Sequence, residues 1–182
     1  MNNIPRYDTH YSKSMSPKYM SVWGKSAAVE LERCMMADAG FRPVLAYRGM
    51  SGIAAATAII SNLDEAFVDR VGMIYVRKDC EDSHGCDVEV GNPETLHDKF
   101  TVVVCDDFID SGATVLTILK AISGAFLTRI PPAKVRYAMT NDPHGSIMTQ
   151  KELFKSGEAT CGMATAATMN YKYSQWYNRA MS

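Results

Sequence analysis

A chain of 182 residues, 47% of them hydrophobic, can bury one substantial core and is expected to form a single domain over 1–182. Its net charge of -1 excludes a general electrostatic case for nucleic acid or an anionic membrane surface, so recognition of phosphate has to come from a local site. Five cysteines without paired spacing fit reduced thiols rather than a disulfide framework, no stretch approaches a membrane span, and MNNIPRYDTHYSKS lacks the apolar core of a signal peptide; a soluble cytoplasmic protein is expected.

In chain order, Ser16-Pro17 starts a helix that carries Met20, Trp23, Ala27, Leu31, Cys34 and Met35 at helical spacing from Tyr19 to Ala39, with Gly24 inside the pattern and Gly40 stopping it. Pro43 to Tyr47 reads as a short strand, RGMSG as a turn, and the alanine-rich run Ile53 to Leu63 as a helix able to pack closely on a sheet. Val71 to Val76 is the next strand. The polar stretch from Arg77 to Lys99, with Gly85, Gly91 and Pro93, is long enough for a loop or lid and holds a short strand at Asp87 to Val90.

The stretch Thr101 to Leu119, TVVVCDDFIDSGATVLTIL, is the most informative. Val102 to Val104 form a β-branched run suited to a strand covered on both faces, and Val115, Leu116, Ile118 and Leu119 recur with helical spacing. Between them sit Asp106, Asp107, Asp110, Ser111, Gly112, Ala113 and Thr114. A helix N-terminus offers backbone N–H groups and partial positive charge, Gly112 lets an anion approach, and Ser111 and Thr114 add hydroxyl donors; a phosphate monoester suits this end. Asp106 and Asp107 end the strand, where neighbouring carboxylates can accept hydrogen bonds from sugar hydroxyls or hold a metal. One acid before a helix is an ordinary cap worth about 0.5–2 kcal/mol, but three aspartates around a Ser-Gly-x-Thr turn exceed that role. Ala133 to Met139 then reads as a strand, Asn141 to Gly145 as a turn, and 141–182 as less regular, with Tyr171, Tyr173, Trp176 and Tyr177 near the end. The alternation of strand and helix argues for an α/β fold with a mainly parallel twisted sheet.

Residues 102–114 resemble the phosphoribosyl-pyrophosphate (PRPP) motif of the type I phosphoribosyltransferases: a hydrophobic strand, two acids, two spacers, then Asp-Thr/Ser-Gly-x-Thr. Tyr47-Arg48-Gly49-Met50 is similar to the pyrophosphate loop of that family, although an arginine before a glycine is by itself an ordinary bend. Arg77-Lys78 and the following Asp82-Ser83-His84-Gly85 resemble the flexible loop of the orotate members, and adenine members also carry a basic pair there; the inserted serine departs from the orotate pattern. Cys80, His84 and Cys86 are zinc-type donors, but their spacing fits no familiar zinc knuckle and no fourth ligand is evident nearby.

The resemblance implies the family fold, with a hood from about 1–15 or 141–182 or both, and Mg²⁺-dependent transfer of a phosphoribosyl group from PRPP to a nitrogenous base with release of pyrophosphate. It implies Ser111 to Thr114 on the 5′-phosphate, Asp106 and Asp107 on the ribose and on magnesium carried by PRPP, and Asp110 near the incoming base as a proton-transfer candidate. Arg48, Gly49, Arg77, Lys78 and His84 would face pyrophosphate, and a homodimer is expected. The acceptor, an orotate-like base or a purine, stays open; Arg6, Tyr7 and the terminal aromatics are the candidates for gripping it. Two rivals stand beside this reading: a catalytically weak PRPP-binding regulator of the same fold, and another α/β enzyme holding Mg²⁺ at its strand ends, such as a phosphatase or receiver-like domain, which leaves Ser111 to Thr114 without a role.

Overall fold

The strands assemble into one mixed sheet covered on both faces by helices. The computed structural model describes residues 14–78, 87–96, 100–109, 112–126 and 130–156. In chain order these form α1 (Pro17–Ala37), β1 (Pro43–Tyr47), α2 (Gly49–Ile60), the short α3 (Glu65–Val68), β2 (Gly72–Val76), β3 (Val88–Gly91), β4 (Thr101–Asp106), α4 (Ala113–Ala125), β5 (Val135–Met139), β6 (Met148–Thr149) and α5 (Gln150–Ser156). Three-residue 3₁₀ turns lie at Pro93–Thr95 and Pro132–Lys134.

The six strands are ordered β3-β2-β1-β4-β5-β6. The four inner strands run parallel, and β3 and β6 pair antiparallel at the two edges. Strand periodicity divides the core. Val44, Ala46, Val102, Val104, Val135 and Tyr137 face one side, where Val115, Ile118, Leu119 and Ile122 of α4 and Leu153 of α5 cover them. Leu45, Val103, Cys105 and Ala138 face the other, against Trp23, Ala27 and Leu31 of α1 and Ala55, Ala56 and Ile59 of α2. Every residue of β4 is buried, as its β-branched run predicts for a strand covered twice.

Helix α1 begins as the sequence predicts. The Ser16 side chain accepts from the Tyr19 N–H at 3.3 Å and Pro17 occupies the first turn. Ser16→Ala is expected to cost about 1 kcal/mol of stability, read as a lower urea midpoint at unchanged slope. The Tyr19 hydroxyl donates to the Thr140 carbonyl at 2.6 Å and Trp23 Nε1 donates to the Met139 carbonyl at 3.2 Å, so α1 braces the carboxyl end of β5. Gly24 belongs in this helix because a Cβ there would meet the Ala58 carbonyl oxygen of α2 at 2.7 Å.

Three segments differ from the sequence reading. The helix expected at 53–63 starts at Gly49 and ends at Ile60, so the RGMSG turn is mostly its first turn; a backbone φ of 76° at Gly49 turns the chain from strand into helix within one residue. Asp64 caps α3 through the Ala66 N–H at 2.9 Å, a one-turn helix too short for periodicity to reveal. Within 141–156 the Asn141 to Gly145 turn is present, held by Asp142 Oδ1 accepting from the His144 N–H at 3.0 Å and Oδ2 from the Ser146 N–H at 2.7 Å. It leads into β6 and α5 on the β5 edge. The other residues assigned to the hood, 1–13 and 157–182, lie outside the described residues. No helix among the described residues is long and apolar enough to cross a membrane.

The strand order positions the site. The chain leaves β1 toward β2 and β3, then returns to lay β4 on the other side of β1. The loops after β1 and β4 therefore diverge at their carboxyl ends and open a crevice, the place where open α/β sheets bind ligands.

Candidate functional site

A cavity of about 580 Å³ opens at that crevice, lined by residues 48–51 after β1, 106–109 and 112–115 after β4, and Lys78 after β2. Both helices that begin here, α2 with 12 residues and α4 with 13, present their first turns to it. Arg48 and Gly112 are their N-caps, and neither makes a side-chain capping bond. Two sets of helix N-terminal N–H groups thus converge on one space, an arrangement that favours anionic groups at two points.

Close packing holds the two turns together. A Cβ on Gly52 would lie 2.8 Å from the Cys105 carbonyl oxygen and 2.8 Å from Tyr47 Cβ, so the first turn of α2 rests directly on the end of β4. Beyond β4 the ladder to β5 continues: the Thr140 N–H donates to the Asp106 carbonyl at 3.0 Å and the Asn141 N–H to the Asp107 carbonyl at 2.9 Å. The backbone of the acidic pair is therefore anchored to the chain that follows β5.

Asp106 and Asp107 are buried, at 7% and 9% exposure. Asp106 Oδ1 accepts from the Ser51 hydroxyl at 2.8 Å and from the Asp107 N–H at 2.9 Å. Burial pushes the Asp106 carboxyl up to about 6; the Ser51 hydroxyl and the Asp107 N–H oppose the rise, and the adjoining Asp107 carboxyl adds to it. At neutral pH the group is mostly ionised but holds its charge at a cost.

Lys78 reaches the same space: a Cβ on Gly49 would lie 2.7 Å from its Cε and 2.9 Å from its Nζ, so the ammonium hangs over the turn after β1. Arg48 and Lys78 thus share the cavity wall with the acidic pair. Arg77 is directed elsewhere. It pairs with Glu89 of β3 and lines a neighbouring cavity of about 760 Å³ between the β2-β3 hairpin and α4, to which Lys78, Thr117 and Lys120 also contribute. Of the predicted residues, Arg48, Gly49, Lys78, Asp106, Asp107, Gly112, Ala113 and Thr114 come together here, while Asp110, Ser111 and His84 lie outside the described residues, as do Cys80 and Cys86. Met50, Ser51, Phe108 and Ile109 also join the lining; Met50 lies in the Tyr47-Arg48-Gly49-Met50 loop and Phe108 and Ile109 are the two spacers of the acidic motif, but none of the four has a predicted role, and the signal for Ser51 is its hydroxyl in a first helical turn beside Arg48-Gly49.

Among the described residues no three His, Cys, Asp or Glu side chains cluster as a metal cage. Two adjoining carboxylates beside helix N-termini nevertheless fit magnesium that arrives on a polyphosphate, because this ion keeps waters and substrate oxygens and needs only one or two protein carboxylates.

What the fold and the cavity define is a mixed α/β protein whose switch-point crevice has cations and helix N-termini around a buried acidic pair. The chain matches no protein-family model, no curated protein and no solved structure.

Proposed function

We propose that this chain has a type I phosphoribosyltransferase-like fold and transfers a phosphoribosyl group from PRPP to a nitrogenous base, releasing pyrophosphate. The observation that carries the reading is the shared lining of one cavity by the Arg48-Gly49 turn, Lys78, the acidic pair and the Gly112–Thr114 turn. PRPP carries phosphate at one end, a vicinal diol in the middle and pyrophosphate at the other. The N-terminus of α4 suits the 5′-phosphate, Asp106 and Asp107 suit the diol, and Arg48 with Lys78 and the N-terminus of α2 suit the pyrophosphate.

The reaction breaks the C1–O bond, so negative charge grows on the pyrophosphate and positive charge on the ribose. Arg48 and Lys78 stabilise the first and the carboxylates of Asp106 and Asp107 the second, and both effects are stronger in the transition state than in the ground state. Asp106 and Asp107 would hold Mg²⁺ brought in with PRPP, and that ion supplies further neutralisation of the leaving group. Asp110 remains the proposed proton-transfer group toward the base, with Ser111 on the 5′-phosphate and His84 on the pyrophosphate side. A cytoplasmic homodimer, in which a loop of one subunit completes the site of the other, belongs to the same proposal.

The test is PRPP-dependent pyrophosphate release with orotate, adenine, guanine, hypoxanthine, xanthine, uracil and nicotinate, beside PRPP binding by calorimetry. Release with one base is the expected result. Binding without release in any well would instead favour a PRPP sensor, and no PRPP binding by folded protein would end the phosphoribosyl reading.

A further inference from the structure

Ser51 is separated from Asp106 by 55 positions in sequence, yet its hydroxyl donates to Asp106 Oδ1 at 2.8 Å. It is the third residue of α2, two positions after the Gly49 turn, and lines the same cavity. The contact joins the two halves of the site through side chains, in addition to the β1-β4 pairing and the close packing at Gly52. Oδ1 takes both this bond and the one from the Asp107 N–H, and two donors on one oxygen fix the carboxyl plane as well as its position. With Oδ1 so held, Oδ2 offers a sugar diol a set direction at no further cost in side-chain freedom.

We propose that Ser51 is a positioning residue: its hydroxyl orients the Asp106 carboxylate toward the hydroxyls of the bound sugar, and so ties the first turn of the helix after β1 to recognition of ribose. The inference rests on the phosphoribosyl reading of the cavity. Ser51 acts on the sugar through Asp106, not by touching the anion. Its loss therefore weakens recognition of the diol selectively and leaves the pyrophosphate contacts of Arg48, Lys78 and the α2 N-terminus in place.

Calorimetric titration of the full chain with ribose 5-phosphate, 2-deoxyribose 5-phosphate and inorganic pyrophosphate, in wild type, Ser51→Ala and Ser51→Thr, tests this. Loss of a hydrogen bond to a charged group predicts ribose 5-phosphate binding about tenfold weaker in Ser51→Ala, with affinities for the deoxy sugar and pyrophosphate unchanged. The preference for ribose over deoxyribose shrinks accordingly, and Ser51→Thr, which keeps the hydroxyl, restores it. A merely structural residue would not move that preference. Equal weakening of all three ligands, or of pyrophosphate alone, overturns the proposal, as does an unchanged ribose preference in Ser51→Ala. If folded wild type binds none of the three, the phosphoribosyl reading itself fails and takes the proposal with it, a result distinct from any change confined to the variants.

Discussion

Asp106→Asn is expected to remove most turnover while leaving a folded chain that is more stable than wild type at neutral pH. The two effects have one cause. Asp106 is buried and its carboxyl is pushed up to about 6 from an ordinary value of 3.8. Between those two values the folded chain holds a proton that the unfolded chain has released. The contribution of this group to stability is therefore fully present below about 4 and falls as pH rises toward 6. Asparagine is neutral throughout and can still accept from the Ser51 hydroxyl and the Asp107 N–H. Urea midpoints at pH 4 and pH 7 should show the advantage of the variant growing by roughly 2–3 kcal/mol across that window. A stability difference that stays flat with pH would mean that the ionised carboxylate carries no burial cost.

On the activity side, removing one preorganised charge from a site that stabilises developing charge typically costs about 10²–10³ in rate. Pyrophosphate release with PRPP and the accepting base should fall by that order in Asp106→Asn. Wild-type activity should itself decline as pH drops through about 6, where Asp106 gains its proton. Full activity in the purified variant would detach the acidic pair from the chemistry. A buried carboxylate that weakens the fold at working pH is what a functional position looks like when stability has been traded for charge.

Gly52→Ala and Gly124→Ala make the same chemical change in two helices and are expected to have opposite signs. At Gly52 the new methyl would meet the Cys105 carbonyl oxygen and Tyr47 Cβ, each at 2.8 Å. Neither is the free end of a flexible side chain, so α2 must lift from the end of β4. Overpacking of this kind costs about 1–3 kcal/mol, against which the better helix propensity of alanine returns about 1 kcal/mol at most. Lifting α2 also stretches the Ser51–Asp106 bond, so ribose 5-phosphate binding should weaken together with stability. At Gly124, in the last turn of α4, nothing lies within 4 Å of the added methyl. That variant should gain a few tenths to about 1 kcal/mol. Paired urea titrations check both, and a neutral Gly52→Ala would show that α2 and β4 are less tightly joined than the distances indicate.

The strands at Pro43–Tyr47 and Gly72–Val76, the fully buried β4 and the start of α1 at Ser16-Pro17 were legible because each rests on a local signal. A β-branched run, a cap followed by proline, and apolar residues at helical spacing act over a few residues. The acidic loop after β4 was legible for the same reason, since residue types that suit a phosphate and a diol stand side by side in the chain. The start of α2 was not. Arg48 to Gly52 carry turn-forming residues, and the helix that starts among them packs against the end of β4, a contact no local signal reports.

Adjacency of Arg77 and Lys78 likewise suggested one shared role, whereas pairing with Glu89 across the β2-β3 hairpin draws Arg77 to another cavity and leaves Lys78 over Gly49. By itself the sequence determined the elements and the chemistry carried at each strand end. Tertiary structure decided which strand ends meet: placing β4 beside β1 brings Ser51 onto Asp106 and gathers two helix N-termini around one buried pair of carboxylates. Periodicity and turn chemistry are local properties of the chain, but strand order is set by how all the helices and strands bury their apolar faces together, and no short window of sequence contains it.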